Sequence, residues 1–82
     1  MYFKFIVDNP ETKINYSIPK AGFVSLIIYD ALGRQVSELV NGYKNPGNYI
    51  VEFNASGLSS GMYYYKLTSG EFSDTKKMLM VK

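Results

Sequence analysis

The sequence predicts an all-β domain of short antiparallel strands, and three observations carry that expectation. Apolar residues recur with a period of two along most of the chain, the spacing of strands that turn one face to a core. Turn-forming residues interrupt this alternation at intervals of roughly 8–12 residues. Eight Tyr and five Phe lie among 82 residues, enough β-prone rings to fill a core in so short a chain.

The elements follow in order. Phe3 to Val7 is a first β-prone run. Ile14, Tyr16 and Ile18 alternate with Lys13, Asn15 and Ser17, and Pro19-Lys20-Ala21-Gly22 ends that strand. In the next run Val24, Leu26 and Ile28 form one face and Phe23, Ser25, Ile27 and Tyr29 the other. This strand is expected to be central and buried on both sides. Asp30-Ala31-Leu32-Gly33 reads as a compact hairpin: Asp30 can bond the turn backbone, and Gly33 can take the left-handed conformation of a G1 bulge. In Gln35 to Val40 the apolar residues Val36, Leu39 and Val40 do not share one strand face, which predicts a strand with a bulge or an early end, with a single helical turn as the alternative. Asn41-Gly42 and Pro46-Gly47 are expected to bracket a polar loop, the latter pair in a type II turn. Tyr49, Val51 and Phe53, then Tyr63, Tyr65 and Leu67, then Met78 and Met80 give three more alternating faces, with Ser69-Gly70 as a hairpin signal between the last two.

About seven strands at these spacings predict an immunoglobulin-like β-sandwich, with a five-stranded barrel of oligonucleotide-binding type as runner-up. Its core is expected to hold Leu26, Ile28, Tyr49, Val51, Phe53, Tyr63, Tyr65 and Leu67. In the small, polar stretch Asn54 to Gly61, Leu58 is expected to plug the open end of the core. Tyr63, two residues after Gly61, is placed to send its hydroxyl back to that loop as in a tyrosine corner.

Composition narrows the function. The chain has no Cys and no His, so it lacks disulfides, thiolate metal sites and the commonest general base. Catalysis would need unusual Ser-Lys chemistry, and the expectation is a protein that is not an enzyme and binds no metal or cofactor. A formal charge of +2 is too weak for a nucleic-acid footprint, despite Lys interleaved with aromatic rings. No apolar run approaches a membrane span. The N-terminus is too short for a secretory signal peptide, so export is expected to need a segment supplied upstream. Along the Tyr63-Tyr64-Tyr65 run, two rings face one side of a strand and one the other, which disfavours a sugar-stacking platform.

Four segments then match one family in order. Asn9-Pro10-Glu11-Thr12-Lys13-Ile14-Asn15-Tyr16-Ser17-Ile18-Pro19 resembles the opening of the type A C-terminal sorting domain of the type IX secretion system. Tyr29-Asp30-Ala31-Leu32-Gly33-Arg34 is similar to its first hairpin. Gly47 to Ala55 with Leu58-Ser59-Ser60-Gly61-Met62-Tyr63-Tyr64-Tyr65 resembles its centre, and Lys76-Lys77-Met78-Leu79-Met80-Val81-Lys82 its final strand. The resemblance covers residues 9–82. It implies a seven-stranded immunoglobulin-like sandwich that serves as a non-catalytic address on cargo of Bacteroidetes-type bacteria. In that family the cargo passes through the periplasm, and an outer-membrane translocon reads the domain. A sortase-like peptidase then removes it, leaving the cargo on the outer-membrane surface or secreted. Lys76, Lys77 and Lys82 are the residues it puts forward for translocon recognition, with Asp30, Gly33, Gly47, Leu58, Gly61 and Tyr63 as structural motif positions.

Residues 1–8 depart from the family pattern, which has a Pro- and Asn-rich opening there. They are read as an atypical N-terminal strand or a segment added by engineering, and the cargo domain is expected upstream of this sequence. Both faces of Tyr2 to Val7 are apolar. The segment is therefore expected to join a sheet of its own chain or that of a second copy, giving a dimer through residues 2–7. Light scattering with and without residues 1–8 checks this: a monomer in both cases removes the dimer. The competing class is a structural or adhesive immunoglobulin-like module, similar to the sandwich of flagellar hook-capping proteins. The Lys-rich ending separates the two, because an address must be terminal and an adhesive module need not be.

Overall fold

A computed structural model describes residues 11–54 and 57–80, with the side chains of residues 11 and 12 excepted. Six strands make up the described chain: β1 (Glu11–Ile18), β2 (Gly22–Asp30), β3 (Gln35–Lys44), β4 (Gly47–Asn54), β5 (Gly61–Ser69) and β6 (Phe72–Met80). All pairings are antiparallel. β1 and β4 form a two-stranded sheet, and β3-β2-β5-β6 a four-stranded one. The count is six strands rather than about seven. The first expected strand, residues 3–7, lies outside the described residues, as does the expected dimer contact through residues 2–7.

The period-two pattern decides which faces meet. Ile14, Tyr16 and Ile18 of β1 and Phe53 of β4 share one buried cluster with residues from all four strands of the larger sheet. Those are Val40 of β3, Val24, Leu26 and Ile28 of β2, Tyr63, Tyr65 and Leu67 of β5, and Met78 and Met80 of β6. The cluster holds six of the eight residues expected in the core. Tyr49 and Val51 are only half-buried, because β4 belongs to a sheet of two strands that gives its inner face less cover.

Strand β2 is central, between β3 and β5, but it is not buried on both sides. Its outer face carries Phe23, 58% exposed, with Ser25, Ile27 and Tyr29 half-buried. Among the described residues no strand packs over that face.

Strand β3 resolves the irregular pattern of Val36, Leu39 and Val40. Leu26 pairs with Val40 and Ile27 with Glu38, so Leu39 is an extra residue. Ile28 pairs with Ser37 and Tyr29 with Gln35, so Val36 is another. Each insertion resets the side-chain alternation. The two bulges thereby let Val36, Leu39 and Val40 all pack against the core.

The polar loop expected from Asn41 to Gly47 is absent. Asn41 and Gly42 lie inside β3, paired with Ser25 and Val24, and only Asn45 and Pro46 separate β3 from β4. Nor is Pro46-Gly47 a type II turn. Gly47 has φ 154°, far from the roughly +80° that turn needs, because the chain here crosses from one sheet to the other instead of folding back.

The two hairpins are tight. Between β2 and β3, the Gly33 amide donates to the Asp30 carbonyl at 3.0 Å and the Asp30 amide to the Arg34 carbonyl at 2.9 Å. With Gly33 at φ 85°, this is a type I turn closed by a G1 bulge. Between β5 and β6, Gly70 at φ 59° and Glu71 link the paired residues Ser69 and Phe72. Positive then negative φ is the pattern of a type II′ turn.

Nothing crowds a Cβ built on Gly33, so the cost of a side chain there is conformational alone. Gly33→Ala is expected to destabilise the domain by about 1–2 kcal/mol. A melting temperature lowered by roughly 4 °C or more would show it; an unchanged value would mean that the turn accepts a side chain.

Candidate functional site

The C-terminal strand β6 lies at one end of the four-stranded sheet and, among the described residues, pairs only with β5. Lys76 and Lys77 are both exposed. Adjacent strand residues point to opposite faces. Lys76 pairs in register with the core residue Tyr65, so it stands at the rim of the inner face. Lys77 pairs with Tyr64 and stands on the outer face. The lysines therefore flank the strand rather than form one patch, while Met78 and Met80 anchor it in the core. Lys82 lies outside the described residues.

The β2–β3 hairpin is held by its own side chains. Asp30 Oδ1 accepts from the backbone amides of Leu32, at 3.0 Å, and Arg34, at 2.9 Å. Asp30 Oδ2 accepts from Arg34 Nε at 2.8 Å. The Arg34 amide is the first cause holding the Asp30 carboxyl below the usual carboxylate range. The Arg34 side chain and the Leu32 amide add to it, against an opposing effect of burial. The hairpin support from this group is therefore present at neutral pH and lost as pH falls through the lowered value.

Two strand starts share one device. The Tyr63 hydroxyl donates to the Ser59 carbonyl at 2.7 Å, and the Tyr49 hydroxyl donates to the Asn45 carbonyl at 2.5 Å. In each case the tyrosine follows the strand's opening glycine by two residues, Gly61 or Gly47, with φ near 150° at both. Each ring thus ties its strand to the connection before it. Sequence reasoning singled out Tyr63 and missed Tyr49, although Gly47-Asn48-Tyr49 has the same spacing as Gly61-Met62-Tyr63. Tyr49 also stacks on Tyr16, with ring centroids 5.3 Å apart and planes at 18°, and Lys44 Nζ lies 5.5 Å from its ring centre. Leu58 is half-buried and packs against the core cluster.

Tyrosine burial sets an alkaline limit. Burial, with the nearby Asp74 charge adding to it, pushes the Tyr65 phenol up to about 12. Burial and Tyr49 raise Tyr16. A phenol whose pKa rises on folding stabilises the fold fully below its unfolded value near 10, and that support fades as pH rises from there towards 12. Tyrosinate absorbance is therefore expected to show late ionisation coupled to unfolding in this window, with the late step reduced in Tyr65→Phe and Tyr16 left to carry the rest. Ordinary titration of every tyrosine with the fold intact would contradict it.

Among the described residues no cluster of carboxylates could hold a metal ion. What the molecule presents is a β-domain of two antiparallel sheets whose exposed chemistry lies in hairpins and a terminal strand. The family model described as "Secretion system C-terminal sorting domain" matches residues 8–82, and the chain belongs to that family, the sorting domain of type IX secretion. Neither a curated protein nor a solved structure matches it.

Proposed function

We propose that this chain is a non-catalytic address domain that carries an upstream cargo across the outer membrane through the type IX translocon. The observation that carries the reading is the family match over residues 8–82, whose last described strand, β6, lies at the sheet's end. The two sheets, with one core between them, are read as an immunoglobulin-like sandwich. Strand β6 is the element read by the translocon: a strand paired on one side offers backbone groups to an added strand. Lys76 and Lys77 supply charge on the two faces, and Lys82 is read as a third recognition charge. Cargo passes through the periplasm and ends at the outer-membrane surface or in the medium of a Bacteroidetes-type cell. A sortase-like peptidase separates it from the domain.

A signal peptide and soluble reporter placed before residues 9–82 test this in a host with a type IX system. The fusion is expected on the cell surface or in the medium, and the reporter without the domain in the periplasm. An intact fusion that stays in the periplasm would favour the structural or adhesive module instead.

A further inference from the structure

One end of the four-stranded sheet gathers apolar side chains that the fold does not use. Leu32, on the β2–β3 turn, is 80% exposed. Met62 of β5 and Leu79 of β6 pair in register on the outer face and are 38% and 50% exposed. Leu32, Arg34 and Met62 line one open depression of about 270 Å³. Gly61, which lines it too, pairs with Met80, the last residue of β6.

An isolated exposed leucine needs no explanation, but Leu32 and Met62 on one depression, with Leu79 paired beside Met62, form a patch. Leu32 is also held outward by a rigid turn. Its amide and that of Arg34 are both fixed to Asp30 Oδ1, and its position in a type I turn accepts most residue types. Among the described residues the exposed charges beside the patch are cationic: Arg34, whose side chain is 74% exposed, and Lys77, two residues before Leu79 on the same strand face. Among the described residues the carboxylate there, Asp30, is turned into its own hairpin.

We propose that Leu32, Met62 and Leu79, flanked by Arg34 and Lys77, form a docking surface for a protein of the type IX machinery. The matching surface is an apolar socket edged with carboxylates. The inference rests on the sorting reading and adds to it a second point of recognition, built from β2–β3 and β5 as well as from β6. An apolar centre with a charged rim is how protein interfaces concentrate affinity.

The test is the full chain behind a signal peptide and reporter, with surface and medium reporter measured in a type IX host. Leu32→Ser, and separately Met62→Ser with Leu79→Ser, are expected to lower export roughly tenfold or more, the effect of losing a central interface contact. Lys77→Glu is expected to lower export as well, and Lys77→Arg to keep it. Phe23→Ser removes an exposed ring at the far end of the same face and is expected to leave export within about twofold, as surface changes away from an interface do. Urea midpoints of the purified variants separate docking from folding. Parental export of folded Leu32→Ser and of the double variant would overturn the docking surface while leaving the sorting reading intact. So would an equal loss in folded Phe23→Ser. Self-association that Leu32→Ser abolishes without touching export would make the patch a contact between copies, and also overturns it. A parent fusion that is not exported overturns the sorting reading, and the docking surface with it.

Discussion

Truncating Phe53 to Ala is expected to cost about 3–5 kcal/mol, the range for a buried phenylalanine whose site cannot collapse. Phe53 is 2% exposed, and it is the one fully buried residue of β4, since Tyr49 and Val51 are half-buried. The loss would open a cavity in the core that the two sheets share. Total stability of a small domain is about 5–15 kcal/mol, so one ring carries a large share of it. Chemical denaturation of the variant measures the effect. A loss below about 1 kcal/mol, the scale of a surface change, would mean that Phe53 does not face the core.

Removing residues 76–82 is expected to abolish cooperative unfolding altogether. The deletion takes away Met78 and Met80, 1% and 4% exposed. Losing a buried methionine costs roughly 2–5 kcal/mol, so the pair approaches the stability of the whole domain. The pairing of β6 with the first half of β5 goes with them. Retention of a truncated fusion in the periplasm would therefore report fold loss as readily as lost recognition. Gln at positions 76, 77 and 82 separates the two. Lys76 and Lys77 are exposed, so Lys76→Gln with Lys77→Gln and Lys82→Gln is expected to change stability by no more than about 0.5 kcal/mol per site. Circular dichroism and urea denaturation check the fold. A full cooperative transition in the deletion variant would contradict the placement of Met78 and Met80 in the core.

What the sequence made legible was local and periodic. Alternation placed Ile14, Tyr16 and Ile18, and Leu26 and Ile28, on buried faces, because a half-buried strand has only two sides. The Asp30-Ala31-Leu32-Gly33 turn reads the same way in sequence and in structure, because its hydrogen bonds stay within five residues. What alternation could not supply was how many strands cover a face. The outer face of β2 is apolar enough to be buried, yet no described strand packs over it. Tyr49 and Val51 lie on an inward face of a sheet too narrow to bury them. The Asn41-Gly42 dipeptide is a strong turn signal, but pairing with Val24 and Ser25 holds it inside β3. At the candidate site, Lys76 and Lys77 are adjacent in sequence and opposite in space. The hairpin and the β5 start that flank the C-terminal strand came together only through the β2–β5–β6 pairing, which no local signal encodes.

The sorting account is tested most directly by the location of one reporter in two otherwise identical hosts, one with the type IX translocon and one without it. The reporter carries a signal peptide in front and residues 9–82 behind. The account predicts reporter on the surface or in the medium of the first host, and reporter confined to the periplasm of the second. Equal export from both hosts would contradict it.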